Sequence, residues 1–398
     1  MSNWMIPYNY LDPSQTGVIG PMDEPLKKTN MWLVGYPGSG KSVILTHLAR
    51  KAKMQHNKVA IVTYTKSLGD LFNTGLGELN TEGIPVMTPR QLLEKDNQHY
   101  DFIICDEIQD LSLQTLRNIK NRCTYLIAAG DANQSIYSLD IYNRPVMKPD
   151  DPHTVLAVQS QAQNIIYRLT PSMVEAAIAI CPNLEGMRSK INQTGVNTRI
   201  MRRRFSSFAD EREWVYENAK RYSLQHDRTA ILLSTRDAII DFANSVLVTK
   251  GKDKWTPVMN KFGRPNFDRL NSCLANNSIK MQCVLNDYGS LKNAHNRGEI
   301  ILTTYHSAKG LDFENVYLPC LDKGLYLLAD QEKSKVLLMV ALTRSSKNLT
   351  LSYSSAKMSD YVSPITNCTD ITMSNQANTG ISSNRVGLSK TNDDDDMY

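Results

Sequence analysis

The eight residues Gly35-Tyr36-Pro37-Gly38-Ser39-Gly40-Lys41-Ser42 constrain this chain more than any other stretch. They fit the pattern G-x-x-x-x-G-K-[ST]. They stand between an apolar run, Met31 to Val34, and a segment of helical spacing, Lys41 to Met54. A strand, a glycine-rich turn and a helix in that order let backbone N–H groups turn inward around phosphates. The helix N-terminus adds a dipole that favours negative charge. The pattern makes Gly35, Pro37, Gly38, Ser39 and Gly40 the phosphate cradle of a bound ATP. It sends Lys41 to the β- and γ-phosphates and sets the Ser42 hydroxyl on Mg²⁺.

A second stretch complements the first. Phe102 to Cys105 is an apolar strand that ends in Asp106-Glu107. The carboxyl end of a strand in such a sheet points at the nucleotide. Asp106 is placed to hold Mg²⁺ through its water shell, because this ion keeps several waters and takes few protein ligands. Glu107 is the candidate to orient and deprotonate an attacking water.

Short apolar runs alternate with amphipathic segments through the first 140 residues, and a second such series begins near Ile165. This alternation predicts an α/β fold with parallel sheets covered on both faces. At 398 residues the chain exceeds one compact core. The expected division is residues 1–164, then 165–365 with an insertion at about 250–297, where periodicity is poor. Residues 366–398 are polar, carry the acidic run Asp393 to Asp396, and are expected to form a disordered acidic tail. No apolar run is long enough to span a membrane, and the first ten residues lack the pattern of a signal peptide. Seven scattered cysteines without a C-x-x-C pair fit free thiols in a cytoplasmic or other reducing intracellular compartment. The net charge of +5 is weak support for a nucleic-acid partner. The cluster Arg202-Arg203-Arg204 is either a solvated strand end or a phosphate contact.

Further motifs give the chain a family resemblance. Asp106-Glu107-Ile108-Gln109-Asp110 resembles D-E-x-Q-D, and Gly130-Asp131-Ala132-Asn133-Gln134-Ser135-Ile136-Tyr137 resembles G-D-x-x-Q-S-I-Y. Leu11 to Gln15 is similar to a glutamine motif that reads adenine. Thr63 to Lys66 is similar to a strand-to-loop motif that touches single-stranded DNA. Thr304 to Phe313 resembles T-x-H-x-x-K-G-L-E/D-F, and Val340 to Arg344 matches V-A-L-T-R. These motifs, in this order, resemble the UvrD/Rep-like branch of superfamily-1 helicases. The resemblance implies two RecA-like P-loop domains with parallel central sheets and ATP in the interdomain cleft.

It also implies roles. Gln15 hydrogen-bonds the adenine edge, and Tyr167 stacks on the base. Gln134 senses the γ-phosphate, Arg168 contacts it, and Arg344 is a second arginine finger. Asp312 serves the ribose or the motif network, with Gly310 beside it. Thr65, Tyr137 and His306 meet the strand.

Three departures stand out. Leu139 and Asp140 occupy positions where the family carries Trp-Arg, and Val43 stands where it carries Arg. Room for accessory domains is small. The resemblance implies an ATP-dependent DNA helicase or single-strand translocase, moving 3′-to-5′. The alternative is an NTPase switch, triggered by nucleic acid or a partner, that controls an associated nuclease, replication, repair or defence factor. The motifs alone leave DNA and RNA both open.

Overall fold

The computed structural model describes residues 4–192, 196–261, 263–286 and 288–371. Its frame is two all-parallel sheets. The first holds β1 (Met31–Gly35), β2 (Val59–Val62), β3 (Val86–Met87), β4 (Tyr100–Cys105), β5 (Cys123–Gly130) and β6 (Ser160–Gln163). Their order is β3-β2-β4-β5-β1-β6. Successive side chains of a strand face opposite ways, and β4 uses both faces. Phe102 and Ile104 enter one apolar cluster with Ile44, Leu48 and Phe72. Ile103 and Cys105 enter another with Leu116 and Ile119. Such double burial explains why the strand reads as a continuous apolar run.

The helices of this half are fixed by local chemistry. α1 (Pro13–Ile19) starts at a capping box in which the Asp12 carboxylate accepts from Ser14 and Gln15 N–H groups. α2 (Lys41–Met54) follows Gly40, whose φ of 80° is open to glycine at little cost. α3 (Lys66–Glu78) is capped by the Thr65 hydroxyl.

The second sheet holds β7 (Arg199–Arg204), β8 (Thr229–Leu233), β9 (Met281–Cys283), β10 (Ile300–Thr304), β11 (Phe313–Leu318), β12 (Ser345–Tyr353) and β13 (Thr369–Asp370). The order is β13-β7-β12-β11-β8-β10-β9, again parallel throughout. β6 ends at Gln163, and Ile166 already belongs to the core of the second half.

The stretch 250–297, expected as an insertion in the second half, contributes edge strand β9 to the second sheet. The helix Phe267–Asn276 buries Phe267, Leu270 and Leu274 against the same core that receives Met281 and Cys283 of edge strand β9. The expected tail begins too early, because Thr369 and Asp370 pair with Met201 and Arg202. Residues 372–398, with the acidic run, lie outside the described residues. The arginine cluster is committed within the fold. Arg202 pairs with Asp370 at 2.6 Å, Arg203 lies over the rings of Phe205 and Trp214, and Arg204 bonds the Ser355 carbonyl.

One relation between the halves positions everything that follows. The phosphate-loop pattern, Asp106 and Asp131 follow the carboxyl ends of β1, β4 and β5. Arg228, Asp312 and Arg344 precede the amino ends of β8, β11 and β12. The two sheets therefore present opposite ends to one cleft.

Candidate active site

The cleft holds a cavity of about 490 Å³. Its walls include Gln15, Pro37 to Ser42, Glu107, Gln134, Tyr167 and Arg168. From the second sheet come Arg228, Gly310, Asp312 and Arg344. Thus the residues expected at the nucleotide come together, except that Gly35 and Asp106 lie behind the lining.

The glycines at the end of β1 and in the loop before α2 are closely packed. A Cβ at Gly35 would stand 2.5 Å from the Gln163 carbonyl oxygen, and one at Gly40 would stand 2.5 Å from Gln15 Nε2. Lys41 is 9% exposed, and its ammonium donates to the carbonyls of Gly35 at 2.7 Å and Tyr36 at 3.2 Å. The Ser42 hydroxyl donates to Asp106 Oδ2 at 2.8 Å. Hard oxygens from a hydroxyl and a carboxylate are the ligands that Mg²⁺ takes beside water and phosphate, so this pair fits that ion. Among the described residues there is no cluster of three or more His, Cys, Asp or Glu that could cage a metal.

Asp106 and Glu107 are both buried. Burial, then the Glu107 charge, lifts the Asp106 carboxyl to about 6. Burial also opposes ionisation of Glu107, but Lys309, Lys41, a bond from Gln109 and Arg344 outweigh it and hold its pKa below the ordinary glutamate value. The carboxylate is thus ionised at neutral pH, the form that can accept a proton, though the same cations that hold it ionised lower its basicity. Its backbone is unusual as well, with φ 56° and ψ 41°, a left-handed conformation that costs a non-glycine residue roughly 1–2 kcal/mol. The Glu107 N–H donating to Asp106 Oδ1 at 2.9 Å and the Asp110 N–H donating to the Glu107 carbonyl at 3.1 Å hold that turn.

Four residues of this network were not singled out from sequence. Gln109 donates to Glu107 and accepts from the Asp131 N–H at 3.0 Å, so it joins the ends of β4 and β5. Asp131 accepts from Gln134 Nε2 at 2.8 Å. Lys309, 3% exposed, reaches across the cleft to Asp110 at 2.6 Å and to the Gln134 carbonyl at 2.7 Å, with Glu107 at 3.7 Å. Gln109, Asp131 and Lys309 lie within motifs visible in the sequence. Arg228 has no such signal. It pairs with Asp312 at 3.3 Å, and its Nε is buried without a hydrogen bond.

Arg344 is 2% exposed and directs Nη2 to Gln134 Oε1 at 3.4 Å, while its other nitrogens bond the Val340 and Leu311 carbonyls. Tyr167 and Arg168 stand on the loop itself, their N–H groups donating to the Gly38 carbonyl. The Tyr167 hydroxyl bonds Asp12, and Gln15 accepts from the Asp12 N–H, so both are tied to the α1 cap. Gly310, φ 78°, lets the second half approach the first, since a Cβ there would lie 2.3 Å from Leu68 Cδ2.

On the far side of Lys309, three rings form a row. Tyr64 lies 5.0 Å from Tyr137, which lies 5.6 Å from His306. Burial, then Lys309, lowers the His306 pKa and favours neutral imidazole. Thr65 sits beside the row but is 4% exposed, and its hydroxyl is spent on capping α3. Tyr64 is the more accessible neighbour. Leu139 is half exposed, whereas Asp140 is buried and organises the following turn.

No curated protein matches this chain. Among solved structures, one of the PRRSV helicase is similar at 12% identity and a TM-score of 0.41, over 86% of this chain and 54% of that one. This chain therefore spans about half the length of that structure. A family model for an AAA domain matches residues 21–140, and one for the UvrD-like helicase C-terminal domain matches residues 267–356. With its two parallel-sheet halves meeting at this cleft, the chain belongs to the UvrD/Rep-like superfamily-1 helicases.

Proposed function

We propose that this protein hydrolyses ATP with Mg²⁺ in the cleft and uses the cycle to move 3′-to-5′ along single-stranded DNA. The observation that supports this reading best is the composition of the cavity wall. The first half contributes a phosphate cradle and an ionised carboxylate, and the second contributes three arginines, Arg168, Arg228 and Arg344. A phosphoryl group in transfer needs cations around its equatorial oxygens. Here Lys41 supplies one from the loop, and Arg168 and Arg344 supply two more. Ser42 and Asp106 hold the magnesium ion, which neutralises phosphate charge when bound. Glu107 accepts the proton of the attacking water.

Closure of the cleft brings Arg344 to the phosphates beside Arg168, which already stands on the loop, and Gln134 reports it, because the same glutamine touches Arg344 with its side chain and Lys309 with its carbonyl. The strand runs over the row Tyr64, Tyr137 and His306, where stacking tolerates any base. Gln15 and Tyr167 hold the adenine, and Asp312 with Gly310 faces the ribose.

A second reading has one observation in its favour. Leu139 replaces an aromatic at the expected stacking position, which suits a switch that hydrolyses ATP in response to nucleic acid and signals to a partner. Displacement of streptavidin from biotinylated oligonucleotides separates the two. The motor reading expects ATP-dependent displacement from the 5′ end of single-stranded DNA and little from the 3′ end. Nucleic-acid-stimulated hydrolysis without displacement from either end would overturn it in favour of the switch.

A further inference from the structure

Two turns, one in each half, are built alike. Leu139-Asp140-Ile141-Tyr142-Asn143-Arg144-Pro145 and Met259-Asn260-Lys261-Phe262-Gly263-Arg264-Pro265 agree in residue type at nearly every position. Their bonding also agrees. The Asp140 N–H donates to the Arg144 carbonyl at 2.7 Å, and the Asn260 N–H donates to the Arg264 carbonyl at 2.7 Å. The fifth residue is left-handed in both, with φ 58° at Asn143 and 69° at Gly263. The Arg144 N–H bonds Asp140 Oδ1, and the Arg264 N–H bonds Asn260 Oδ1. An antiparallel bridge closes each turn, Leu139 to Pro145 and Met259 to Pro265. Each fold therefore locks an Asx side chain inward and leaves the apolar residue before it outside. Leu139 is 48% exposed and Met259 57%.

Their places in the fold are related. The first turn follows Tyr137 directly. The second is tied through Asn260 Nδ2 to the Tyr288 hydroxyl at 2.9 Å, and Tyr288 bridges Leu285 just beyond the end of β9. β9 lies beside β10, whose carboxyl end opens into the segment bearing His306. Each turn thus adjoins, along the chain or the sheet, a segment that leads to the ring row. Both carry arginines, and the second is the more basic. Arg90 and Arg144 accompany the first, where Glu94 pairs with Arg90 at 3.4 Å. Lys252, Lys254, Lys261 and Arg264 accompany the second, with Asp253 the one acid between residues 251 and 265.

We propose that these turns are a matched pair of nucleic-acid grips, one per domain, holding a single strand on either side of the ring row. The occupant is argued from charge and continuity: cationic side chains meet phosphates, and an exposed aliphatic side chain packs on the apolar face of a base. A motor whose halves open and close needs a hold on each. The proposal rests on the nucleic-acid reading above.

The test measures anisotropy of a labelled oligothymidylate of about 20 nucleotides with the full chain across a salt series. Lys261→Glu with Arg264→Glu is expected to weaken binding by about tenfold or more and to flatten the salt slope by about one to two units. Hydrolysis of ATP without nucleic acid stays at the parent level, which shows that the variant is folded. Lys261→Gln with Arg264→Gln gives a smaller loss, and Leu139→Ser weakens binding several-fold. Lys58→Glu, at the amino end of β2 and away from the cleft, leaves binding unchanged. Parent-like affinity and salt slope in the turn variants would overturn the grips alone, and would leave the turns as protein-contact sites. Absence of oligonucleotide binding by the parent chain would overturn the underlying reading with them.

Discussion

Lys309 of the second half donates to Asp110 of the first at 2.6 Å, and neither side chain is more than 3% exposed. Burial, only partly offset by Lys309 and reinforced by the Glu107 charge, lifts Asp110 to about 7. The pair joins the base-bearing turn to the segment that carries His306. Removing one partner of a buried pair costs up to roughly 3–5 kcal/mol when the other stays charged, and less when it is neutralised by a proton. Lys309→Met should therefore lower stability to urea by at most that amount, with Asp110 taking up a proton, while Lys309→Met with Asp110→Leu should recover much of the loss. Equal losses in the single and double variants would mean that the charge pair is not the cause.

Lys41 and Glu107 should separate binding from chemistry. Lys41→Ala removes the loop cation, and hydrolysis is expected to vanish. Glu107→Gln keeps the shape of the turn but lacks the base, so a fluorescent ATP analogue should still bind while turnover falls about 10²-fold or more. Full turnover in either variant would remove that residue from the mechanism.

The arginines should divide in a similar way. Arg344 is bonded to Gln134 and is expected to act on the reacting phosphate, so Arg344→Ala should lower kcat by about 10³-fold or more. Arg228 has a free Nε on the cavity wall but sits on Asp312, away from that network. Arg228→Ala should raise the KM for ATP by about tenfold, the worth of a charged hydrogen bond, with kcat nearly kept. A fall in kcat alone would make Arg228 part of the chemistry instead.

Asp140 offers a test by pH. Burial would raise its pKa, but bonds from Ser112, Thr115, Arg144 and Tyr142 hold it at about 2. A depressed folded-state pKa gives stability that is present above the ordinary aspartate pKa and is lost as pH falls through the folded value. The shift is worth on the order of 2 kcal/mol. Asp140→Asn should therefore lower Tm at neutral pH, and the gap from the parent should close as pH falls below about 4. A gap independent of pH would show that packing, not charge, is what the substitution removes.

Much of this site is legible in the sequence because its geometry is local. Strand, loop and helix at Gly35 to Ser42 are contiguous, as are β4 and its two carboxylates. What was missed depends on the meeting of distant segments. Lys309 looks like any lysine of a motif until the fold sets it against Asp110, and Arg228 is a lone arginine before a strand. Thr65 reads as a surface hydroxyl, but its spacing from Leu68 makes it a helix cap. β9 escaped notice because it has three residues, too few for a period-2 pattern to show, although Phe267, Leu270 and Leu274 already marked one face of its helix. The paired turns are separated by more than a hundred residues of unlike sequence, and their bonding makes them recognisable.

The most direct test of the central claim is steady-state ATP hydrolysis by the purified chain, alone, with single-stranded DNA and with single-stranded RNA. The cleft described here predicts slow hydrolysis alone and stimulation of about tenfold or more by single-stranded DNA, abolished by Lys41→Ala. Hydrolysis that neither nucleic acid changes, from folded protein that binds ATP, would contradict it.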